Sequence, residues 1–133
     1  MRVFIDTNIL ISASMSKTGN PYLAFAKAVS SPNQGVVCDQ NIDELRRVYN
    51  RKFQDKMNSL HEFLALALPV LEVVQAPAVD LGVETKIRDV SDRPILRAAI
   101  AANVDVILTG DNDFLESGIV KPKIMAPAEF LSG

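Results

Sequence analysis

The sequence has one cysteine, Cys38, and one histidine, His61, in 133 residues. A single cysteine excludes an intramolecular disulfide framework and any multi-cysteine zinc or iron–sulfur site, and a single histidine excludes a paired-histidine zinc motif. Any metal must therefore rest on oxygen ligands. A surplus of charge is also missing: 14 Lys plus Arg against 16 Asp plus Glu leave a net charge of -2, so net charge gives no basis for indiscriminate adhesion to nucleic acid or an anionic membrane. No apolar run approaches the roughly 20 residues a membrane span needs, and Arg2 and Asp6 stand where a signal peptide would carry its apolar core. A cytoplasmic protein with no membrane partner is expected. There is no internal repeat, low-complexity tract or linker. The 48% hydrophobic and 23% charged content is that of an ordinary globular chain, and the length suits one core, so residues 1–133 read as a single domain.

Val3-Phe4-Ile5 is a short β-branched and aromatic run ended by Asp6-Thr7-Asn8, the pattern of a buried strand with polar groups at its carboxyl end. The apolar stretch Ile9 to Ala13 leads into polar residues 14–21, and a helix is expected from about Pro21 to Val29. Gly35-Val36-Val37-Cys38 reads as a second strand, with Asn41 as the cap of a helix running through Tyr49. Leu60, Phe63, Leu64, Ala67 and Leu68 recur at helical spacing, and Val70 to Val74 reads as a third strand. A loop or short helix is expected within Asp80 to Asp89. Ser91 to Asn103 has a Ser-Asp opening, Pro94 in its first turn and an alanine-rich apolar face, which predicts a helix. Val104 to Thr109 is the fourth strand and Lys123-Ile124-Met125 the last, followed by a helical turn at Pro127 to Leu131. Strands alternating with helices predict an α/β sandwich: a parallel sheet with helices on both faces and its functional groups beyond the strands' carboxyl ends.

Five acids fall at such places: Asp6, Glu44, Asp92, Asp111 and Asp113. If the first and fourth strands are neighbours, Asp6 and Asp111 adjoin, and the helix starts bearing Glu44 and Asp92 can converge on the same crevice. Crowded carboxylates repel one another unless a divalent cation neutralises them, and magnesium or manganese suits an all-oxygen set. The implied chemistry is metal-assisted phosphodiester cleavage. Each acid also has a plainer explanation. Asp6 fits a turn or helix cap, Glu44 fits a helix-dipole partner paired with Arg47, and Asp92 fits a cap with Asp89 competing for any ligand role. Asp111-x-Asp113 is not a calcium-binding helical loop, because Leu115 and Glu116 stand where a ligand and a glycine belong. Thr7, Asn8 and Thr109 are candidates to orient the carboxylates. Arg47 and Arg51 fall on the Glu44 side of their helix, either as a solvated face or as guides for an RNA backbone.

The chain closely resembles the PIN-domain family, particularly its small prokaryotic members that include the VapC-like toxins of toxin–antitoxin pairs. The likeness rests on Val3-Phe4-Ile5-Asp6-Thr7-Asn8-Ile9-Leu10, Glu44-Leu45-Arg46-Arg47-Val48, Ser91-Asp92-Arg93-Pro94-Ile95-Leu96, Val106-Ile107-Leu108-Thr109-Gly110-Asp111-Asn112-Asp113-Phe114-Leu115 and Pro127-Ala128-Glu129-Phe130-Leu131. It implies a three-layer sandwich with a five-stranded parallel sheet ordered 3-2-1-4-5. It also implies a magnesium- or manganese-dependent ribonuclease whose acidic quartet is Asp6, Glu44, Asp92 and Asp111, with Asp113, Asn8 and Thr109 as accessories. Asp6, Asp92, Asp111 and Asp113 are the metal-ligand candidates. Arg93 stands where related sequences often carry a further acid. Toxin members are usually silenced by an antitoxin peptide and often form homodimers, so an RNA substrate, an antitoxin and a second copy are the implied partners.

Two other readings compete. A PIN-like module without cleavage would only bind RNA or protein, and the intact acids speak against it. A receiver-like signalling domain needs paired acids after the first strand and an aspartate after the third; only Asp6 follows the first, and the third ends Val73-Val74-Gln75-Ala76.

Overall fold

The computed structural model describes residues 1–78 and 82–133, without the side chains of Val83 and Ser91. Val3, Phe4 and Ile5 are fully buried in β1 (Arg2–Ile5), the central strand. The chain passes straight into α1 (Thr7–Met15), then α2 (Asn20–Val29) and β2 (Gln34–Cys38). Next come α3 (Asp39–Lys52), α4 (Met57–Ala67) and β3 (Leu71–Val74). After a 3-10 turn at Val83–Lys86 and another at Val90–Asp92 come α5 (Arg93–Ala101), β4 (Val106–Leu108), α6 (Asn112–Leu115), β5 (Lys123–Met125) and α7 (Pro127–Ser132).

The five strands are all parallel in the order β3-β2-β1-β4-β5, as the resemblance implies. Alternation along each strand divides the core into two layers. Val3, Ile5, Val37, Val106 and Leu108 face α1, α2, α3, α4 and α7, while Phe4, Val36, Cys38 and Ile107 face α5 and the buried Ile87, Phe114 and Ile119. Burying one such side chain contributes about 1.5–3 kcal/mol. Both faces of the central strands β2, β1 and β4 are therefore covered.

Several boundaries differ from the sequence expectation. The helix after β1 begins at once at Thr7, because Asp6 caps it: the Asp6 carboxylate accepts from the Thr7 backbone N–H at 2.8 Å. Asn41 is not the cap of α3. The helix starts at Asp39, and the Asn41 side chain reaches back from its first turn to accept from the Cys38 backbone N–H at 2.8 Å. β4 is three residues long rather than six, and α5 is framed by Arg93 and Ala101. Asn103, with φ 55°, takes the left-handed conformation that ends a helix. Of the segment Asp80 to Asp89, Asp80 and Leu81 lie outside the described residues; the rest includes a short 3-10 helix.

That segment is pinned to α5 by a buried ion pair. Glu84, 2% exposed, accepts from Arg97 Nε at 2.9 Å and also from Arg97 Nη2, while Arg97 Nη1 donates to the Pro77 carbonyl at 2.7 Å. Removing one partner of such a pair strands the other charge away from water. Arg97→Ala is expected to lower stability by about 3–5 kcal/mol, and pairing it with Glu84→Gln should recover a large part of the loss. Chemical denaturation of the single and double variants measures both; a loss below about 1 kcal/mol for Arg97→Ala would show that the pair does not hold the segment.

Candidate active site

The register between β1 and β4 sets Ile5 opposite Leu108, so the next residues, Asp6 and Thr109, leave the sheet side by side. The Asp6 backbone N–H extends the ladder to the Leu108 carbonyl at 3.0 Å. This is the point where strand order reverses, and helices arriving at the same edge bring their polar ends with them.

Asp6 is buried and held on both oxygens. Oδ1 accepts from the Thr7 backbone, and Oδ2 accepts from Thr109 Oγ1 at 2.8 Å and more weakly from Asn8 Nδ2 at 3.4 Å. Thr109 Oγ1 in turn accepts from the Asp111 backbone N–H at 3.0 Å, and Asn8 Oδ1 accepts from the Gly110 backbone at 3.1 Å. The two strand-end loops are thus cross-linked through Asn8 and Thr109. Glu44 reaches the site from α3, where its Oε2 accepts from Thr7 Oγ1 at 3.1 Å. That hydroxyl is oriented by Asn41 Nδ2 at 2.9 Å. Asp111 caps α6 through Oδ1, which accepts from the Asp113 backbone at 2.9 Å. Asp92 occupies the cap position of α5, yet its side chain makes no capping hydrogen bond.

Charge ties these groups together. Burial, reinforced by the negative charges of Glu44 and Asp111, raises the Asp6 carboxyl to about 6 despite its hydrogen bonds from Thr109 and Thr7. The Asp92 carboxyl rises to about 7, first through burial and then through the charges of Asp6, Asp111, Asp89 and Glu44. Among the described residues no Lys or Arg forms an ion pair with Asp6, Glu44, Asp92 or Asp111. Asp113 differs, because Arg88 pairs with it at 2.8 Å and with Glu116 at 3.0 Å. Asp89, Asp92 and Asp113 each offer an oxygen, and these oxygens lie within 4.8 Å of one another. An all-carboxylate set in which burial and then neighbouring charge favour protonation of Asp6 and Asp92 fits a hard divalent ion.

Asp6, Glu44, Asp92 and Asp111 thus share one field at one edge of the sheet, with Asn8 and Thr109 bridging the loops. Asp113 joins Asp92 and Asp89 on its margin. The Glu44–Arg47 ion pair, the plainer explanation of Glu44, is not formed; the Glu44 carboxylate accepts from Thr7 instead. In the sequence Asp89 reads only as a competitor of Asp92, whereas the structure sets the two together. The signal lies in their spacing, since residues three apart align in a 3-10 turn, and the Asp92 N–H does bond the Asp89 carbonyl at 3.1 Å. Arg88 and Asn41 carry no sequence signal for a role at this site, because their partners are distant along the chain.

The family model for the PIN domain matches residues 2–113. The chain belongs to the PIN-domain family. The matched span contains every acid of the site and leaves β5 and α7 beyond it. Among solved structures, VapBC2 from Rickettsia felis, described as bound to a DNA fragment from its promoter, is similar with a TM-score of 0.70 and 18% identity over 95% of this chain and 98% of that one. Mycobacterium tuberculosis VapC20, described as a toxin cleaving the Sarcin-Ricin loop, is similar with a TM-score of 0.63 and 16% identity over 90% and 97%. At such identities the likeness is one of fold. Curated protein sequences yield no match.

Because the folded Asp6 carboxyl holds its proton up to about 6, against an ordinary value of 3.8, the cation-free protein loses stability as pH rises between those two values. Asp6→Asn removes that penalty. In chelator, its stability relative to wild type should climb between about pH 4 and pH 7 and then level off, with a span of up to about 3 kcal/mol read from denaturation curves at each pH. A difference independent of pH would show that Asp6 is not under the strain described.

Proposed function

We propose that this PIN-domain protein is a divalent-cation-dependent ribonuclease, the toxin member of a toxin–antitoxin pair. The observation that carries the reading is the convergence of Asp6, Glu44, Asp92 and Asp111 at the sheet's reversal point, with no Lys or Arg among the described residues paired to them. Asp6, Asp92 and Asp111 would hold magnesium or manganese, with Asp113 and the neighbouring Asp89 at a weaker second position. When bound, the ion supplies Lewis acidity toward water and toward a phosphodiester oxygen.

The chain's own residues do the positioning. Thr109 and the Thr7 backbone fix both oxygens of Asp6, so its carboxylate needs no rearrangement to act. Thr7 fixes Glu44 through Oε2, leaving Oε1 without a hydrogen-bond partner among the described residues and able to accept a proton from an attacking water. Asn8 and Thr109 keep the Asp6 and Asp111 loops in register. No serine, cysteine or histidine is needed as nucleophile or base: Cys38 is buried with its thiol pushed up to about 11, chiefly by burial. The toxin reading adds an antitoxin that silences the site and pairing of two copies, both resting on the family likeness. No described helix is long and apolar enough to cross a membrane.

The decisive assay sets wild type beside Asp6→Asn on a panel of structured RNAs, with manganese, with magnesium and with chelator. Cleavage is expected only from wild type with cation, and Asp6→Asn should lose more than about 100-fold while remaining folded. Full cleavage by Asp6→Asn would remove Asp6 from the reaction. Absence of cleavage by wild type under every condition would favour a module that binds RNA or protein without cutting it.

A further inference from the structure

A polar cavity of about 260 Å³ opens beside the acidic site, lined by Gln40, Glu44, Arg47, Val48 and Arg51 of α3 and by Ile95 of α5. Glu44 belongs to both the cavity and the carboxylate cluster, and Ile95 lies three residues beyond Asp92, so the two spaces adjoin. Arg47 and Arg51 are exposed, and among the described residues neither is paired with a carboxylate. Four residues apart on a helix, they project from the same face, one turn above the other. Two exposed guanidinium groups on one helix face, beside a cluster of carboxylates, put positive charge where a polyanion approaching that cluster would otherwise meet only repulsion. Their fork geometry suits phosphate oxygens.

We infer that Arg47 and Arg51 form a phosphate subsite that grips the RNA backbone on the α3 side of the scissile bond. The inference rests on the ribonuclease reading and adds to it a direction for the strand. The carboxylate cluster repels a polyanion, so a chain entering it needs counter-charge close by. Among the residues lining this cavity the cations are Arg47 and Arg51. A short phosphodiester confined to the cluster would not reach them, whereas an oligonucleotide would. These arginines read no base and act on binding of the strand, not on the chemical step.

The test compares wild type, Arg47→Gln/Arg51→Gln, Arg47→Lys/Arg51→Lys and Arg46→Gln. Arg46 is an exposed arginine two positions from Glu44, on the far side of α3. With manganese and a single-stranded RNA substrate, the double glutamine variant should raise KM about 10-fold and leave kcat within about 2-fold. Turnover of bis(p-nitrophenyl) phosphate should be unaltered. The lysine variant should recover part of the loss, because the charge remains while the fork is gone. Anisotropy of a fluorescent 12-nucleotide RNA on Asp6→Asn protein should weaken in parallel, and the slope of log K against log salt should become shallower by about 0.7 for each phosphate no longer neutralised. An unchanged KM and RNA affinity in the double glutamine variant, or an equal loss from Arg46→Gln, would overturn the assignment, the first pointing to a protein partner for the pair. If wild type turns over neither substrate, the ribonuclease reading fails alone, since the anisotropy arm still reports whether the arginines hold the strand.

Discussion

Carboxylates placed close together in a partly dry crevice repel, and the arrangement of this protein is built around containing that repulsion. Asp6 sits at the centre of it, 6% exposed, with Glu44 and Asp111 raising the cost of its charge. Neutral donors hold it there: a backbone N–H at a helix start, the Thr109 hydroxyl and the Asn8 amide. These bonds lower the cost of the charged form without cancelling it. The remaining deficit favours the protonated form of Asp6, and among the described residues no Lys or Arg pairs with it to offset the charge. Arg88 does so only at the margin, on Asp113 and Glu116.

The scaffold serves the same end. Buried strands with apolar residues on both faces leave no room for polar groups except beyond their ends, and a parallel sheet points all its carboxyl ends one way. Placing β1 between β2 and β4 brings the start of α1, the α3 helix that follows β2, and the β4 loop to a common edge. The Arg97–Glu84 pair then holds the preceding segment against α5, where Asp89 and Asp92 meet the site from the other layer.

Much of this is legible in the residues. Val3-Phe4-Ile5 and Val106-Ile107-Leu108 are continuous apolar runs, which suit a strand covered on both faces, and each is followed within a few residues by an aspartate. Pro94 and the alanines after it mark α5. The Thr7–Met15 helix is harder to read, because Asp6 serves as cap and as site residue at once, and a cap gives no hint of a second duty. Asn41 misleads for a related reason: an asparagine at a helix start satisfies the backbone equally from the cap or from the first turn.

Side-chain chemistry and local periodicity dictate which residues are apolar, where strands and helices alternate, and that no multi-cysteine or paired-histidine metal site can form, and all of these can be read along the chain. Which acids share a field is a property of the folded molecule, as are the bond from Thr7 to Glu44 in place of a pairing with Arg47, the meeting of Asp89 with Asp92 and Asp113, and the recess that Arg47 and Arg51 line beside them. Those relations connect residues far apart along the chain, Asp6 and Thr109 being separated by 103 positions. Coulombic and hydrogen-bond energies depend on distance through space, and only the register of β1 against β4 and the docking of α3 and α5 set those distances.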